Sequence, residues 1–301
     1  MQPSHATIRR MHPIEIHALP GLGVLRVEGA DALAFLQGQV TADIREMPAG
    51  SSTLAGWCSP QGRVIALLRI GPTPGGFLAV LPRDLCEAVS ERMRRFVMRS
   101  KVTITDASAE LAIAGIARDS GVPEAAVPLP GELVTLRLPS LRELLVGTPA
   151  QLAGAAAGLA PASVTAWEAR CIAEGEPEVY ACTAESWIPQ MLNLDLLGAI
   201  SFRKGCYPGQ EIVARTQNLG RIKRRLFRYL VTGPTLPAVG TGLLLGQAKV
   251  GEVVRSIRHG SVAQLLAVVN LDAAGVGLTA EGGGATCSPE PMAYGVPVAG
   301  K

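Results

Sequence analysis

The sequence predicts an α+β protein that ends in a small antiparallel β-barrel or sandwich. Between residues 24 and 105, apolar runs follow the order strand, helix, strands, helix, strand, which resembles a ferredoxin-like unit. Beyond residue 225, β-like runs are short and are separated by glycine and proline, as is typical of a barrel or sandwich. The predicted fold class therefore rests on one α+β pattern and one all-β pattern in the same chain.

The first pattern can be followed along the chain. Residues 24–27 alternate and predict a strand, after which Asp31 can begin a short helix that stops at Gly38. The turn composition of residues 59–62 predicts a hairpin between two strands. Residues 84–98 carry apolar side chains on one helical face and predict the second helix of the unit.

We divide the chain into three predicted parts, residues 1–108, 109–224 and 225–301. The middle part contains two predicted helices, at residues 150–160 and 164–174, among weaker α and β signals. The last part carries four β-like runs, at residues 226–231, 242–245, 249–257 and 262–269. A glycine- and proline-rich tail follows at residues 282–301, and we expect it to be irregular.

Composition and cysteine content exclude several classes of protein. With 301 residues, 48% hydrophobic and 18% charged, the chain is long enough for two or three folded domains. No apolar run approaches the ~20 residues that a membrane-spanning helix needs, and we expect no signal peptide. The six cysteines form no C-x-x-C pair, which argues against a structural zinc site or a disulfide framework. We therefore expect no metal site, no membrane partner and a cytoplasmic location.

The stretch from residue 201 to residue 228 is strongly basic. It contains eight basic residues and one acid, Glu211, so its local net charge is 8 − 1 = +7. Such a field suits an anionic partner, for example a glutamyl tail, a phosphate or RNA. The alternative is a solvated basic face or a linker. The basic residues are Arg203, Lys204, Arg215, Arg221, Lys223, Arg224, Arg225 and Arg228.

Cys206 lies inside this basic stretch, on a loop that Gly205 and Gly209 allow to be tight. From the sequence, we expect neighbouring positive charges on Arg203 and Lys204 to stabilise a thiolate. An exposed thiol on such a loop is suited to nucleophilic or metal-relay chemistry, whereas an inert buried cysteine is the alternative. Three other cysteines lie in predicted strands or helices, and we predict that they are small core residues: Cys58, Cys86 and Cys171.

Several other side chains are candidates for binding a flat heterocycle. Trp167 and Trp187 could stack on such a ring, although core packing is the alternative for each. The pairs Gln39/Asp43 and Glu174/Glu176 are possible polar contacts, with a solvated surface position expected for Glu176. The histidines show no ligand spacing, and surface or loop positions are expected for all four, His5, His12, His17 and His259.

Residues 204–211 read Lys-Gly-Cys-Tyr-Pro-Gly-Gln-Glu. This segment resembles the K-G-C-Y-x-G-Q-E signature of the YgfZ family of folate-binding proteins, which is similar to mitochondrial iron–sulfur assembly factors and, more distantly, to the glycine-cleavage T-protein. The resemblance spans about residues 22–270. Further segments that are similar to family patterns lie at residues 35–43, 188–194, 200–202 and 211–215, with Gly62, Gly220, Lys223 and Arg224.

The resemblance implies a T-protein-like fold in which three parts surround a central hole that holds tetrahydrofolate or a related reduced folate. It also implies a role in assembling or maintaining iron–sulfur enzymes, including those that thiolate tRNA. Cys206 carries over as the essential family cysteine and Trp167 as a folate contact. The other residues that we associate with folate binding are Gln39, Asp43, Glu174, Lys204, Tyr207, Gln210, Glu211 and Arg215.

The sequence departs from the T-protein pattern at two places. Residues 64–67 are apolar where the T-protein has a pair of aspartates after the turn glycine. Ala173 stands where the T-protein has a glutamate that holds the pterin, and Glu174 follows one position later. Because successive helical residues point about 100° apart, Glu174 need not replace that glutamate. These departures argue against aminomethyl transfer.

Three functional hypotheses follow from the sequence. The first is a folate-binding accessory protein whose partners are iron–sulfur enzymes or their assembly proteins, with any tRNA link running through the modifying enzyme. The second is a folate-dependent one-carbon transferase that uses Cys206. The third is a tRNA-binding protein that contacts phosphates through residues 221–228.

Overall fold

A computed structural model describes residues 14–48, 51–118, 133–218 and 222–297. Within these ranges, two five-stranded sheets and a closed six-stranded barrel are joined by short α-helices, and the predicted α+β class with a C-terminal antiparallel barrel is confirmed. The elements are β1 (Glu15–Ala18), β2 (Leu22–Glu28), α1 (Ala32–Gln37), β3 (Thr53–Cys58), β4 (Val64–Thr73), β5 (Gly76–Pro82), α2 (Cys86–Arg94), β6 (Thr103–Asp106), β7 (Ala112–Ala117), β8 (Val134–Leu138), β9 (Arg142–Gly147), α3 (Pro149–Ala155), β10 (Ala160–Ala162), α4 (Val164–Ala173), α5 (Gln210–Asn218), β11 (Arg224–Thr232), β12 (Gly242–Leu245), β13 (Ala248–His259), β14 (Val262–Asn270), β15 (Leu278–Ala280) and β16 (Thr286–Glu290).

The first sheet has the strand order β3-β4-β5-β2-β6, with every pair antiparallel. Strands β4-β5-β2-β6, with α1 and α2, make the predicted ferredoxin-like unit, and β3 is added at its edge through the hairpin turn. Helix α2 ends at Arg94, four residues before the predicted end. The chain then turns repeatedly, and Met98 adopts a left-handed conformation with a φ of 45°.

The second sheet has the order β10-β1-β7-β9-β8. Its strand β1 comes from the N-terminal end of the chain and pairs antiparallel with β7 and parallel with β10, so it lies across the predicted boundary at residue 108. His17 on β1 is fully buried, and its Nδ1 lies 2.8 Å from the carbonyl oxygen of Ser163. The surface position expected for His17 is therefore wrong. His259 is exposed as expected, while His5 and His12 lie outside the described residues.

The barrel has the order β11-β14-β13-β12-β15-β16 and closes between β16 and β11. The irregular tail predicted from residue 282 is wrong for Thr286–Glu290, because β16 pairs with β11 from Thr232↔Thr286 to Arg228↔Glu290. An unpaired β11 would expose a row of backbone donors and acceptors, which closure of the barrel removes. None of the helices in the described ranges is long and apolar enough to cross a membrane.

A buried ionic network joins the two sheets. Arg69 on β4 contacts Glu176 at 2.6 Å and Glu178 at 2.9 Å. Arg142 on β9 contacts the second oxygen of the same Glu176 carboxylate at 2.8 Å. Because each sheet contributes one arginine, the Glu176 carboxylate bridges them, and separating the sheets would leave buried charges without partners.

The barrel enters the same network through Arg255 on β13. Its guanidinium contacts the carboxylate of Glu168 on α4 at 2.8 Å and donates to the backbone carbonyl of Glu176 at 3.2 Å. Three arginines are therefore balanced by three carboxylates, and each arginine comes from a different sheet or from the barrel. The network fixes how the three bodies meet.

Glu176 is only 8% exposed, so the solvated position expected for it is wrong. Helix α4 ends at Ala173, and Gly175 takes a left-handed φ of 70° that turns the chain towards the interior. A Cβ on Gly175 would lie 2.6 Å from Met292 and 2.8 Å from Tyr294, so a larger residue would clash at this turn. This turn places the Glu176 carboxylate beside Arg69 and Arg142.

We expect Glu176→Gln to destabilise the fold by about 3–5 kcal/mol, because the amide leaves buried guanidinium charge uncompensated. Urea unfolding monitored by circular dichroism measures this. The control is Glu185→Gln, which removes an exposed ion pair with Arg92 and should cost about 0–1 kcal/mol. Equal losses in the two variants would contradict the role given to the network.

Candidate functional site

Cys206 is exposed and lies in a shallow groove on the protein surface. The groove runs from the hairpin turn of the first sheet to the first turns of α5. Its lining residues are Pro60, Cys206, Tyr207, Pro208, Gly209, Gln210, Glu211 and Ala214. Cys206 is therefore not a buried core cysteine, whereas Cys58, Cys86 and Cys171 are buried as predicted.

Two glycines allow the Cys206 loop to sit directly on the hairpin turn. Gly209 has a φ of 78°, and a Cβ there would lie 2.5 Å from the carbonyl oxygen of Ser59 and 2.7 Å from Gly62 Cα. Gly62 has a φ of 69°, and its Cβ would lie 2.9 Å from Ile212 on α5. Backbone therefore packs on backbone at this contact, which only glycine permits on both sides.

Lys204 anchors the other end of the loop. Its Nζ donates to the carbonyl oxygens of Val40 at 2.7 Å and Ala42 at 2.9 Å, and it lies 5.5 Å from the centre of the Tyr207 ring. The side chain is buried, and burial lowers the pKa of Lys204 to about 8. Burial also disfavours the charged form of Tyr207, and this raises the pKa of its hydroxyl. Lys204 thus ties the Cys206 loop to residues 35–43, the other segment with a family pattern.

The basic stretch forms a smaller surface than the sequence suggests. Arg225 is buried and makes two bonds to Asp195, at 2.9 and 2.8 Å, and Arg228 donates to Gln264. Lys204 is buried as well, and Arg221 lies outside the described residues. The exposed cations that remain in the described part of the stretch are Arg203, Arg215 and Lys223.

A cavity of about 360 Å³ lies where the two sheets meet the C-terminal tail. Small-molecule sites in proteins usually measure about 300–1,000 Å³. This cavity is the candidate for the central hole that the resemblance implies. It is lined by Ser52, Thr53, Leu54, Arg69, Arg137, Leu138, Pro139, Ser140, Arg142, Glu174, Glu176, Leu197, Gly198, Ala293 and Tyr294.

Glu174 brings a carboxylate to the cavity wall. It follows the last residue of α4, so it lies at the helix end and not on the helical face of Ala173. The Ser140 hydroxyl donates to the Glu174 carboxylate across the wall. Ser140 and Leu141 both adopt left-handed conformations, with φ of 60° and 59°. Consecutive non-glycine residues of this kind are strained, and such strain is concentrated at functional sites.

Three members of the ionic network line the cavity: Arg69, Arg142 and Glu176. Burial alone would raise the pKa of Glu176, but Arg69, Arg142 and Arg255 outweigh that effect and hold the pKa well below its usual range. The carboxylate is therefore ionised at neutral pH. Arg142 Nε is buried and has no hydrogen-bond partner among the described residues. The wall thus presents both donors and acceptors around a small space.

The C-terminal tail completes the wall. The Tyr294 hydroxyl donates to the Gly175 carbonyl oxygen at 2.8 Å and accepts from Asn193 at 3.4 Å. Burial raises the pKa of Tyr294 to about 12, so the hydroxyl keeps its proton at neutral pH. Residues beyond the barrel therefore reach back to the end of α4.

Trp167 lies behind the cavity and is 2% exposed. The Arg142 guanidinium lies 5.3 Å from its ring centre, and His17 is 5.5 Å away on another side. Trp167 lines a second, much smaller cavity of about 10 Å³, which is close to the volume that one water needs. Trp187 is also buried, in the core of the first sheet.

The remaining predicted folate contacts fall into two groups. Asp43 lines a groove that shares Thr53 and Gly198 with the cavity, and Gln39 accepts from Trp57 Nε1 at 3.3 Å nearby. The other group lies on the Cys206 loop and α5, and none of its members lines the cavity: Lys204, Tyr207, Gln210, Glu211 and Arg215. Among the nine predicted contacts, Glu174 is the one that the cavity wall contains; the roles of all nine stay predictions.

Sequence reasoning missed Arg69, Arg142 and Tyr294. A usable signal existed for Arg69, which interrupts the apolar strand β4, because unpaired arginine is almost never buried. No group of three potential metal ligands occurs in the described ranges. The residues that open β4, where the T-protein has aspartates, are buried and apolar: Val64, Ile65, Ala66 and Leu67.

The fold and the central cavity define a protein of the aminomethyltransferase fold class. The chain superposes on the glycine cleavage system aminomethyltransferase T from Bartonella henselae with a TM-score of 0.68, covering 92% of this chain and 84% of that one. The two sequences are 12% identical, so this similarity shows the fold alone. No family model matches the chain.

Comparison with whole sequences identifies the family. The chain is 34% identical over 278 residues to the tRNA-modifying protein YgfZ of Klebsiella pneumoniae (strain 342), covering 86% of this chain and 82% of the relative. It is 32% identical over 287 residues to the protein of the same name from Escherichia coli O7:K1, covering 90% and 86%. The chain therefore belongs to the YgfZ family of tRNA-modifying proteins.

We expect Lys204→Ala to destabilise the fold by about 1–3 kcal/mol, because the carbonyl oxygens of Val40 and Ala42 would stay buried without a donor. The matched control is Cys206→Ser, two residues away and exposed, which should change stability by less than about 0.5 kcal/mol. Urea unfolding of both variants measures the difference. A stable Lys204→Ala protein would return Lys204 to the group of ligand-binding candidates.

Proposed function

We propose that the chain binds tetrahydrofolate or a related reduced folate in the central cavity and acts as an accessory protein for iron–sulfur enzymes, including tRNA-thiolating enzymes. The observation that carries this proposal is the cavity itself, with the Glu174 carboxylate and the Ser140 hydroxyl on a wall of suitable size. The relatives named as tRNA-modifying proteins support the connection to tRNA modification.

The chemistry of a pterin suits this wall. Its flat ring carries adjacent N–H donors on one edge, and a carboxylate with two oxygens can accept from both. Leu54, Leu138 and Leu197 supply apolar surface for the ring faces. Arg142 Nε, which lacks a partner among the described residues, is a donor available to a ring carbonyl or a water in the adjoining space.

The position of Cys206 favours an accessory role over one-carbon transfer. In a transferase that uses this thiol, the sulfur atom must lie within reacting distance of the bound folate. The Cys206 groove and the central cavity have no lining residue in common within the described ranges. The thiol instead faces outwards, where a partner protein can reach it.

We assign the chemistry of tRNA modification to a client enzyme in the cytoplasm. Direct tRNA binding through residues 221–228 is less favoured, because two of the cations there, Arg225 and Arg228, pair with other residues of the protein. That segment therefore offers fewer phosphate contacts than its composition suggests.

Calorimetric titration of tetrahydrofolate under reducing conditions tests the cavity. We expect micromolar binding to the wild type and at least about tenfold weaker binding to Glu174→Ala, because a hydrogen bond to a charged group contributes about 1.5–3 kcal/mol. Glu91→Ala, an exposed change on α2, serves as the matched control. Binding that Glu174→Ala leaves unchanged would refute the assigned pocket.

A second titration distinguishes the cavity from the Cys206 loop. Glu211 lines the Cys206 groove and is exposed. Folate affinity that survives Glu211→Ala and falls in Glu174→Ala supports the cavity. The reverse result would move the folate to the loop and restore the transferase hypothesis.

The accessory role of Cys206 is tested in a bacterial host that lacks its own family member. We expect the wild-type chain to restore the level of thiolated tRNA nucleosides, measured by mass spectrometry, and Cys206→Ala to fail. Cys182→Ala is the control, since Cys182 is the other exposed cysteine among the described residues. Full restoration by Cys206→Ala would remove the thiol from the mechanism.

A further inference from the structure

The segment at the end of α2 and after it carries cations that have no partner among the described residues. From residue 92 to residue 101 the chain contains five basic residues and no acid. Arg92 is paired with Glu185, and Arg94 donates to the carbonyl oxygen of Ile104. The side chains of the other three are exposed and make no hydrogen bond or ion pair with any described residue: Arg95, Arg99 and Lys101.

Two large apolar side chains lie between these cations and face water. Met98 is 88% exposed and Phe96 is 42% exposed. Met98 also holds a left-handed φ of 45°, which is uncommon for a residue other than glycine. Nothing in the described part of the chain packs over Met98, so its side chain is displayed to solvent.

The segment is nevertheless firmly held. The Lys101 N–H donates to the Asp31 carboxylate at 2.7 Å, and the Asp31 N–H donates to the Lys101 carbonyl oxygen at 3.3 Å. The Ser100 N–H donates to Val97, whose side chain packs on the core of the first sheet. The cations and the two apolar groups are therefore presented on a fixed backbone, as a preorganised surface requires. We call residues 95–101 the basic turn.

We propose that the basic turn is an RNA-binding surface, and that it allows this chain to hold a tRNA directly. Phosphate groups complement three cations whose side chains have no partner among the described residues, in a stretch from residue 92 to residue 101 that contains no acid. An unstacked base can contact Phe96, and Met98 extends the apolar strip. A protein partner is disfavoured because two partly exposed side chains are a small apolar centre for an interface of about 1,200–2,000 Å².

The basic turn is distinct from the central cavity and from the Cys206 groove, with which it has no lining residue in common. RNA binding and folate binding can therefore fail separately. RNA binding by the basic turn concerns the tRNA substrate of a client enzyme, because this chain would bring the tRNA to that enzyme. Folate binding concerns the small molecule in the cavity.

Fluorescence anisotropy with a labelled tRNA, measured at several salt concentrations, tests the proposal. The triple variant Arg95→Gln, Arg99→Gln, Lys101→Gln should bind at least about tenfold more weakly at low salt. The slope of log affinity against log salt should fall by about 2–3, since each phosphate contact contributes about 0.7–0.9. Phe96→Ala should weaken binding about fivefold or more while leaving that slope unchanged.

The matched control removes the same charge elsewhere. Arg45, Arg203 and Lys223 are exposed, and no described residue pairs with their side chains. The triple variant Arg45→Gln, Arg203→Gln, Lys223→Gln should bind tRNA within about twofold of the wild type. Equal losses in both triple variants, or no tRNA binding by the wild type at low salt, would overturn the proposal.

Circular dichroism and tetrahydrofolate titration of each variant complete the experiment. We expect both triple variants to remain folded, and the basic-turn variant to keep the folate affinity of the wild type, because its changed residues are exposed and lie outside the cavity wall. Loss of tRNA binding with folate binding intact supports the basic turn. Phe96→Ala that binds tRNA like the wild type would contradict the stacking contact.

Discussion

The structure depends on one carboxylate. Each oxygen of Glu176 takes an arginine from a different sheet, and its backbone carbonyl takes the barrel arginine. Buried charges are costly unless every one is paired, so the three bodies have one arrangement in which the network is complete. The two sheet arginines, Arg69 and Arg142, also line the cavity. The site is therefore shaped by the interaction that assembles the fold, and a ligand meets groups whose positions are already fixed.

Elements defined by local patterns could be predicted from the sequence. The β3–β4 hairpin, the barrel strands β11 to β14 and α4 follow from alternation, turn composition and helical period within a few residues, whereas β15 and β16 were not predicted. Strand β1 could not be predicted in its sheet, because Ile16 pairs with Ile116, and nothing near residue 16 encodes that partner. The burial of His17 follows from the same long-range pairing.

The Cys206 loop could be predicted from the sequence, whereas the cavity wall could not. The signature located the Cys206 loop, since eight consecutive residues carry it. It did not reveal that Lys204 and Gly209 serve the packing of that loop, which depends on Val40, Ala42 and Ser59. The cavity wall brings together residues as distant in sequence as Ser52 and Tyr294. Composition and spacing do not encode such an assembly.

The two halves of the site are connected through packed backbone. The groove beside the cavity shares Thr53 and Gly198 with it and also contains Ala42. The Ala42 carbonyl oxygen accepts from Lys204, which lies two residues before Cys206. The cavity wall and the segment that positions the thiol are therefore neighbours in the fold. Such an arrangement suits an accessory protein, in which the small molecule and the partner bind at different places.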